Sequence, residues 1–533
     1  MKNNQPKNTF RSLKVLNVYF YIIVVSIAVL LLSLWSCNPS NNTFIAQGDF
    51  IEDISLADID TEETNTEEYD RIQENAFKKT NENPFSTFSI DVDHASYSNV
   101  RRFINHSELP PKDAVRIEEM VNYFTYDYPE PEGPHPFTVI AEIGVCPWNT
   151  ENRLIHIGIQ GKRLDYTNLK PSNLTFLIDV SGSMDSPQKL PLVKKSIKIL
   201  LNRLNRHDRV SIVVYAGSAG VVLPATPANE KDKIISALNS LRAGGSTAGG
   251  EGIRLAYEEN KKTLMEGGNN RVILVTDGDF NVGVSSTGAL VDLIQKYRLG
   301  GTYLTICGFG MGNYKDNRLE QISNAGNGNY FYIDNIQEAG KIFSREMTAN
   351  LFTIAKDVKI QVEFNPQKVD AYRLIGYENR ILAQEDFNND KKDAGELGAG
   401  HSVTALYEIV PAGTSQIVAS SDPPRYQEIT ETPYAEGDEL MQLKLRYKPV
   451  ESNESLLIRQ IITANNGKIA LTSKNFQFSA AVAAFGMLLQ NSPHKGQSSF
   501  EQVITWANNA SEPHDTDRQE FIRMVRSASL LSQ

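Results

Sequence analysis

The amino-acid sequence predicts an α/β protein built on a doubly wound, mostly parallel sheet. This sheet is flanked by an N-terminal α+β region and by a C-terminal region that is first β-rich and then helical. Strand-like and helix-like segments alternate through residues 171–350, the pattern of parallel strands joined by crossover helices. Several of these strands are continuous apolar runs, as expected for strands covered on both faces. Segments of alternating polarity follow after residue 351 and predict antiparallel pairing there.

The length and composition of the chain limit the number of domains and the kinds of partner that it can have. Its 533 residues are too many for one ordinary core, so two or three domains with linkers are expected. The composition, 41% hydrophobic and 22% charged, is that of a folded soluble protein. The formal net charge of -11 and the lack of a long Lys/Arg cluster argue against nucleic acid as the partner, because phosphate binding needs a basic surface.

The first 37 residues have the features of a targeting segment. Basic residues precede an apolar run at residues 15–35, and Ser36 and Cys37 follow before the chain turns polar. The ending LWSC is similar to a bacterial lipoprotein box, in which Cys37 would be the lipidated first residue of the mature protein. The run is also long enough to span a bilayer, so an uncleaved membrane anchor is the alternative. Either way, the rest of the chain is expected outside the cytoplasm, tethered to a membrane on the periplasmic or outer-membrane side of the cell envelope.

Residues 38–83 are polar and acidic, with few aromatic side chains. Such a segment buries too little apolar area to offset the entropy of ordering it, so we predict a flexible tether.

A first folded unit is predicted over residues 84–170, beginning with a strand at residues 85–92 and a helix near residue 95. Asp93 is expected to cap that helix. The spacing Asp91-x-Asp93-x-x-Ser96 resembles a cation loop, but acids between a strand and a helix are more often caps, and we favour that interpretation.

The central unit is predicted over residues 171–350. Its strands are expected at residues 174–179, 210–215, 221–224, 271–276, 303–309 and 330–333, and its helices at 189–204, 231–241, 252–263, 290–297, 319–325 and 339–347. Cys307 lies inside one of the apolar strands and is predicted to be a buried core residue. A disulfide between Cys307 and Cys146 is therefore not favoured.

The C-terminal unit, residues 351–533, is predicted to hold a small antiparallel sheet or sandwich followed by helices that close a core. The segment Asp386-x-Asn388-x-Asp390 begins like a calcium loop. Lys391 stands where such a loop needs glycine, and Leu397 where it needs a bidentate glutamate. A polar turn is therefore the favoured interpretation.

Side chains that carry oxygen atoms lie on three predicted loops of the central unit. Two of these loops follow strands, and the third is rich in glycine. Asp179 ends the first strand, and Ser181 and Ser183 follow in a glycine-containing turn. Thr247 lies in a Gly-rich loop, and Asp277 directly follows another strand. Since ligands of open α/β sheets bind beyond the carboxyl ends of the strands, these loops could converge on one cation. Mg²⁺ selects such oxygen ligands in near-octahedral geometry at roughly 2.1 Å.

An Asp-x-Ser-x-Ser motif, a threonine in a Gly-rich loop and Thr-Asp-Gly after a strand, in this order, resemble the metal-ion-dependent adhesion site of von Willebrand factor type A domains. Two pairs of flanking stretches extend the resemblance to a bacterial subgroup, the YfbK-like secreted or lipid-anchored type A proteins. These are NPFSTFSIDVD at residues 83–93 with VRIEEM at 115–120, and DFNND at 386–390 with ALYEI at 405–409. The resemblance implies an N-terminal type A-associated domain and a C-terminal domain of unknown function.

The resemblance also implies a ligand set and a role. Asp179, Ser181 and Ser183 would be the core ligands of Mg²⁺, or of Mn²⁺ or Ca²⁺, and Thr247 and Asp277 would bind directly or through water. Three neutral hydroxyls with two carboxylates leave such a cation under-neutralised, so it can accept an acidic oxygen from outside. The family uses that open position for an Asp or Glu of a partner protein.

The sequence therefore favours a membrane-tethered, non-enzymatic protein-binding module. The alternative is a structural or assembly factor whose metal site is completed internally by a carboxylate of a flanking domain. A metal-dependent hydrolase is a remote third possibility, because no general base is identifiable. The nucleophile elbow, the zinc-protease motif and the lysine of a phosphate-binding loop are all absent from the sequence.

Overall fold

A computed structural model describes residues 67–164, 170–246, 249–278, 287–311, 315–347, 351–414, 418, 432–463 and 472–533. The predicted targeting segment with Cys37, most of the predicted tether, and Thr247 lie outside these residues. Within the described ranges, no helix combines the length and apolarity needed to cross a membrane.

The N-terminal segment contributes short elements on either side of two helices. They are β1 (Lys78–Lys79), β2 (Phe85–Ser89), α1 (Ala95–Asn105), α2 (Ile117–Asn122), β3 (Phe137–Val145) and β4 (Arg153–Gly161). Nearly all of α1 is buried, and its apolar side chains pack into a core shared with the C-terminal helices.

The central segment alternates strands and helices as the sequence predicts. Its elements are β5 (Ser172–Asp179), α3 (Leu190–Leu201), β6 (Arg209–Tyr215), β7 (Ala219–Pro227), α4 (Lys231–Ser240), α5 (Gly249–Lys262), β8 (Asn269–Thr276), α6 (Thr287–Leu299), β9 (Thr302–Phe309), α7 (Asp316–Ala325), β10 (Tyr330–Ile333) and α8 (Ile336–Lys341). A π-helical turn, Ile342–Glu346, continues α8.

These strands form one sheet in the order β10-β9-β8-β5-β6-β7, parallel except for the edge strand β7. β5 and β8 are fully buried at the centre of the sheet, and separate hydrophobic clusters cover its two faces. The predicted doubly wound, mostly parallel sheet is confirmed. The carboxyl ends of the neighbouring strands β5 and β8 place Asp179 and Asp277 at the same edge.

The C-terminal segment continues with strands and then three helices. The strands are β11 (Thr353–Phe364), β12 (Val369–Ile375), β13 (Gly395–Gly398), β14 (Ser402–Pro411), β15 (Glu439–Pro449) and β16 (Leu456–Thr463), and the helices are α9 (Lys474–Leu489), α10 (Phe500–Asn509) and α11 (Thr516–Leu531). Ser499 and Gln502 form a capping box that begins α10.

The two flanking segments share a β-sandwich. One sheet has the order β1-β12-β14-β4-β3, and the other has the order β13-β11-β15-β16 with β2 paired to β11. Ile157 of β4 thus lies opposite Ala405 of β14, and Phe88 of β2 lies opposite Ile360 of β11. The sequence predicts separate N-terminal and C-terminal units. In the structure, strands of both regions pack around one apolar core between the two sheets. The central domain is inserted between β4 and β11.

Charged side chains from the three segments meet in buried ion pairs. Asp91 and Asp93 both accept hydrogen bonds from Arg380 of the C-terminal segment, and Asp93 also accepts one from the backbone N–H of Tyr330 in β10. The expected helix cap by Asp93 is wrong, because His94 occupies the N-cap of α1 and makes no side-chain cap. Asp93 is used instead to join three segments of the chain.

The calcium-like stretch at residues 386–390 begins in a 3₁₀ helix, Gln384–Asn388, that buries Phe387, and it ends in a polar turn. The buried ammonium of Lys359 donates to the carbonyls of Asp386 and Asn389, and Asp390 accepts from the hydroxyl of Ser455. Lys359 of β11, together with Arg446 and Lys448 of β15, therefore supplies positive charge to this loop.

Cys146 and Cys307 are buried free thiols. Burial raises the pKa of each thiol well above its ordinary value. Both are core residues with little thiolate character.

His156 in β4 is buried among polar partners. The hydroxyl of Ser479 donates to the carbonyl of Phe476, so it accepts from Nδ1 of His156 at 2.9 Å. Nε2 then accepts from the hydroxyl of Tyr128 at 2.7 Å, which fixes a neutral imidazole. Burial lowers the pKa of His156 to about 3 from its ordinary 6.5.

This buried histidine predicts acid sensitivity. The unfolded chain protonates the imidazole below about pH 6.5, whereas the folded chain resists protonation until about pH 3. Stability should therefore be full above pH 6.5 and fall as the pH drops, by up to roughly 1.4 kcal/mol per pH unit from this group. Denaturant unfolding of a His156→Gln variant between pH 4 and 7 should give a shallower slope than the wild type. An unchanged slope would contradict the assignment.

Candidate metal centre

Asp179 is a fully buried residue of the candidate site. Its side chain ends β5 at the centre of the sheet, with no exposed surface. Oδ1 accepts the backbone N–H of Ser181 at 2.8 Å. Oδ2 is buried and receives no hydrogen bond of normal geometry within the described part of the chain, although the buried hydroxyl of Tyr215 lies near this carboxylate and lowers its pKa. A buried carboxylate oxygen without a donor costs free energy, so a cation at this oxygen would relieve that cost.

The two serines of the motif lie together on the turn that follows. Their hydroxyl oxygens are 3.1 Å apart. Ser181 is buried, whereas Ser183 is exposed. The turn thus presents two hydroxyl oxygens beside Asp179, one towards the interior and one towards solvent.

Backbone hydrogen bonds hold the Gly-rich loop against this turn. The N–H of Gly182 donates to the carbonyl of Gly245 at 3.0 Å, and the N–H of Gly244 donates to the carbonyl of Val180 at 2.8 Å. Gly245 has a φ of +88°, a conformation that favours glycine. These bonds anchor the loop that leads to Thr247, although Thr247 itself lies outside the described residues.

Asp277 follows β8 and is fully buried. Its Oδ2 accepts a hydrogen bond from the ammonium of Lys189 at 2.9 Å. The chain therefore already supplies one cation to this carboxylate, which the sequence pattern did not reveal.

The pKa of Asp179 is raised to about 6. Burial is the main cause, and the negative charge of Asp277 adds to it, while hydrogen bonding from Ser181 acts in the opposite direction. The carboxylates of Asp179 and Asp277 therefore lie close enough to repel each other. Carboxylates that share one cation repel each other in this way when the cation is absent.

The donor set fits a hard divalent cation. Carboxylate and hydroxyl oxygens from adjacent strand ends converge, and one buried carboxylate oxygen lacks a partner. Within the described ranges, no group of three or more His, Cys, Asp or Glu side chains is arranged to hold a metal. A site here would depend on the serine hydroxyls as well as on the acids.

The structure brings four of the five predicted ligands together: Asp179, Ser181, Ser183 and Asp277 lie on two neighbouring strand ends. Sequence reasoning missed Lys189, which lies ten residues after Asp179 and directly before α3. Its only signal in the sequence is a lysine ahead of an amphipathic helix, which by itself is typical of a surface position.

Three family models match the chain. Residues 173–345 match the von Willebrand factor type A domain, residues 63–156 match a model described as von Willebrand factor, and residues 349–531 match the C-terminal part of the uncharacterized protein YfbK. Together they cover the central domain and both flanking segments.

Two relatives illustrate the range of similarity. The chain is 42% identical to the uncharacterized protein YfbK of Escherichia coli (strain K12) over 474 residues, which cover 87% of this chain and 81% of that protein. It is 26% identical to the inter-alpha-trypsin inhibitor heavy chain H3 of Mesocricetus auratus, over 45% of this chain and 29% of that protein.

Solved structures with similar folds are more distant. A von Willebrand factor type A protein from Catenulispora acidiphila is 16% identical and aligns with 75% of this chain and 92% of its own, at a TM-score of 0.41. The protein BatB from Bacteroides thetaiotaomicron is 23% identical and aligns with 33% of this chain and 97% of its own, at a TM-score of 0.29. Likenesses at such TM-scores support no argument about function.

Proposed function

Because the chain belongs to the YfbK family of von Willebrand factor type A proteins, we propose that it is a non-enzymatic module that binds an acidic residue of a partner protein through a divalent cation. Type A domains generally mediate protein–protein interaction, often in a metal-dependent manner. The proposed ligands are the five residues Asp179, Ser181, Ser183, Thr247 and Asp277, and Mg²⁺ is the proposed metal, with Mn²⁺ or Ca²⁺ as substitutes.

The buried, unpartnered Oδ2 of Asp179 carries the proposal. This carboxylate would bind the cation directly, while Ser181 and Ser183 would add neutral oxygens from the same turn. A bound cation would offer its remaining coordination position to a carboxylate of the partner. The exposed side of the turn, where Ser183 lies, is the side from which a partner could approach.

We also propose that the module acts outside the cytoplasm, held to a membrane by its N-terminal segment. The basic and apolar pattern before Cys37 supports this location. Lipidation of Cys37 remains a proposal, with an uncleaved anchor as the alternative.

Affinity capture tests the binding role directly. The full chain, with Mg²⁺ present, should retain a defined set of proteins from a membrane extract, and EDTA or the Asp277→Ala variant should lose the same set while the fold persists. Asp185→Ala serves as the matched control, because Asp185 is an exposed acid on the same turn and not a proposed ligand.

The same capture tests the alternative, an assembly factor whose metal is enclosed by its own flanking segments. In that case the captured proteins would be unchanged by EDTA and by Asp277→Ala, while limited proteolysis would report altered packing between segments. That outcome would overturn the proposed binding role.

A further inference from the structure

Lys189 is a buried cation at the candidate metal centre. It lies directly before α3 and is 7% exposed, and its Nζ is 2.9 Å from Oδ2 of the fully buried Asp277. A lysine is seldom buried unless it is paired, so the ion pair with Asp277 accounts for the position of its head group.

The stem of Lys189 packs against Gly310, the first residue after β9. Gly310 has a φ of +77°, and a Cβ at this position would lie 2.4 Å from Cε and 2.5 Å from Cγ of Lys189. The buried hydroxyl of Tyr332 donates to the carbonyl of Gly310 and fixes the backbone at this position. A side chain at position 310 would displace Lys189, so glycine is needed at this position to leave room for the lysine stem.

The two acids of the site therefore differ in their partners. Asp277 has an ammonium group on one oxygen, whereas Oδ2 of Asp179 has no donor within the described residues. A divalent cation reaching this site would be drawn to Asp179 and would meet a positive charge already held at Asp277.

We infer that Lys189 is a resident counter-cation, which neutralises Asp277 when no metal is bound and competes with the divalent cation for that carboxylate. The inference rests on the proposed function, since it takes Asp277 to be a metal ligand. Lys189 is a positioning residue in this account: it acts through Asp277 and touches neither the metal nor the partner.

This arrangement has a consequence for partner recognition. The ammonium offsets the charge of one carboxylate, so the loaded site keeps more positive charge than its two acids alone would leave. The chain would then hold its metal weakly by itself and more firmly once a carboxylate of a partner completes the shell, because binding of the two ligands is mutually coupled. Lys189 would thus make metal occupancy depend on an acidic partner.

The test compares Lys189→Met with the wild type in two measurements. Isothermal titration with Mn²⁺ should show binding roughly tenfold tighter in the variant, because a competing charge is gone. The metal-free variant should melt at a lower temperature than the wild type, since the buried Asp277 loses its counter-cation, and its stabilisation by Mn²⁺ should be larger. Lys198→Met, which alters a partly exposed lysine of α3, should resemble the wild type in both measurements.

A second variant keeps the ammonium of Lys189 but fills the space that its stem occupies beside Gly310. Gly310→Ala should displace Lys189 and shift Mn²⁺ affinity in the same direction as Lys189→Met. Adding it to Lys189→Met should give little further change.

The outcomes separate the inference from the proposed function. If the wild type binds Mn²⁺ and Lys189→Met binds it equally or more weakly, the counter-cation role is overturned while the metal site stands. If neither protein binds Mn²⁺, both are overturned. Binding by Lys189→Met alone would support the inference strongly.

Discussion

Asp179→Ala is expected to abolish stabilisation by divalent cations while leaving the fold intact. The substitution removes a fully buried carboxylate whose Oδ2 makes no hydrogen bond of normal geometry in the described part of the chain, so the metal-free protein loses the hydrogen bond from the N–H of Ser181 and weaker contacts with the hydroxyls of Ser181 and Tyr215. The wild type should gain about 2.7 kcal/mol at a metal concentration one hundred times its dissociation constant. The variant should gain nothing.

Thermal melting with and without Mg²⁺ or Mn²⁺ measures this difference. Asp185→Ala should respond to metal like the wild type, because Asp185 lies exposed on the same turn. An equal metal response from Asp179→Ala and the wild type would contradict the assigned ligand.

Arg101→Met is expected to cause the largest loss of stability. The guanidinium of Arg101 in α1 donates to Asp334 and Glu338 of the central domain and to Glu520 of α11. Asp334 and Glu338 are 6% and 2% exposed, so the variant would leave two buried carboxylates without this partner. Removing one partner of a buried ion pair costs about 3–5 kcal/mol.

Denaturant unfolding gives this cost. Arg254→Met is the matched control, since Arg254 pairs with Glu258 along one helix and both side chains are about half exposed. Its loss should be within roughly 0.5 kcal/mol. A loss below about 1 kcal/mol for Arg101→Met would show that this network does not hold the segments together.

The central sheet could be predicted because its signal is local. β5 and β8 are apolar runs bounded by turns, and the helices between strands show their own period, so each element is readable without its neighbours. The sandwich could not be predicted in this way. Pairing of Ile157 with Ala405 joins residues almost 250 positions apart. The alternation of apolar and polar residues within a strand does not identify the strand with which it pairs.

The candidate site could also be predicted only in part from the sequence. The Asp-x-Ser-x-Ser turn is compact in sequence, and β8 places Asp277 beside it through ordinary parallel pairing. Lys189 was missed because its role depends on two distant features, the carboxylate of Asp277 and the left-handed backbone of Gly310. Asp93 was misassigned for a related reason: its partners, Arg380 and Tyr330, lie in other segments of the chain.

The most direct test of the metal centre is anomalous diffraction from crystals of the protein grown with Mn²⁺. The account predicts one anomalous peak within roughly 2.0–2.3 Å of Oδ2 of Asp179, with the hydroxyls of Ser181 and Ser183 in the same shell. Crystals diffracting well enough to show both serines, but with no peak beside Asp179, would contradict it.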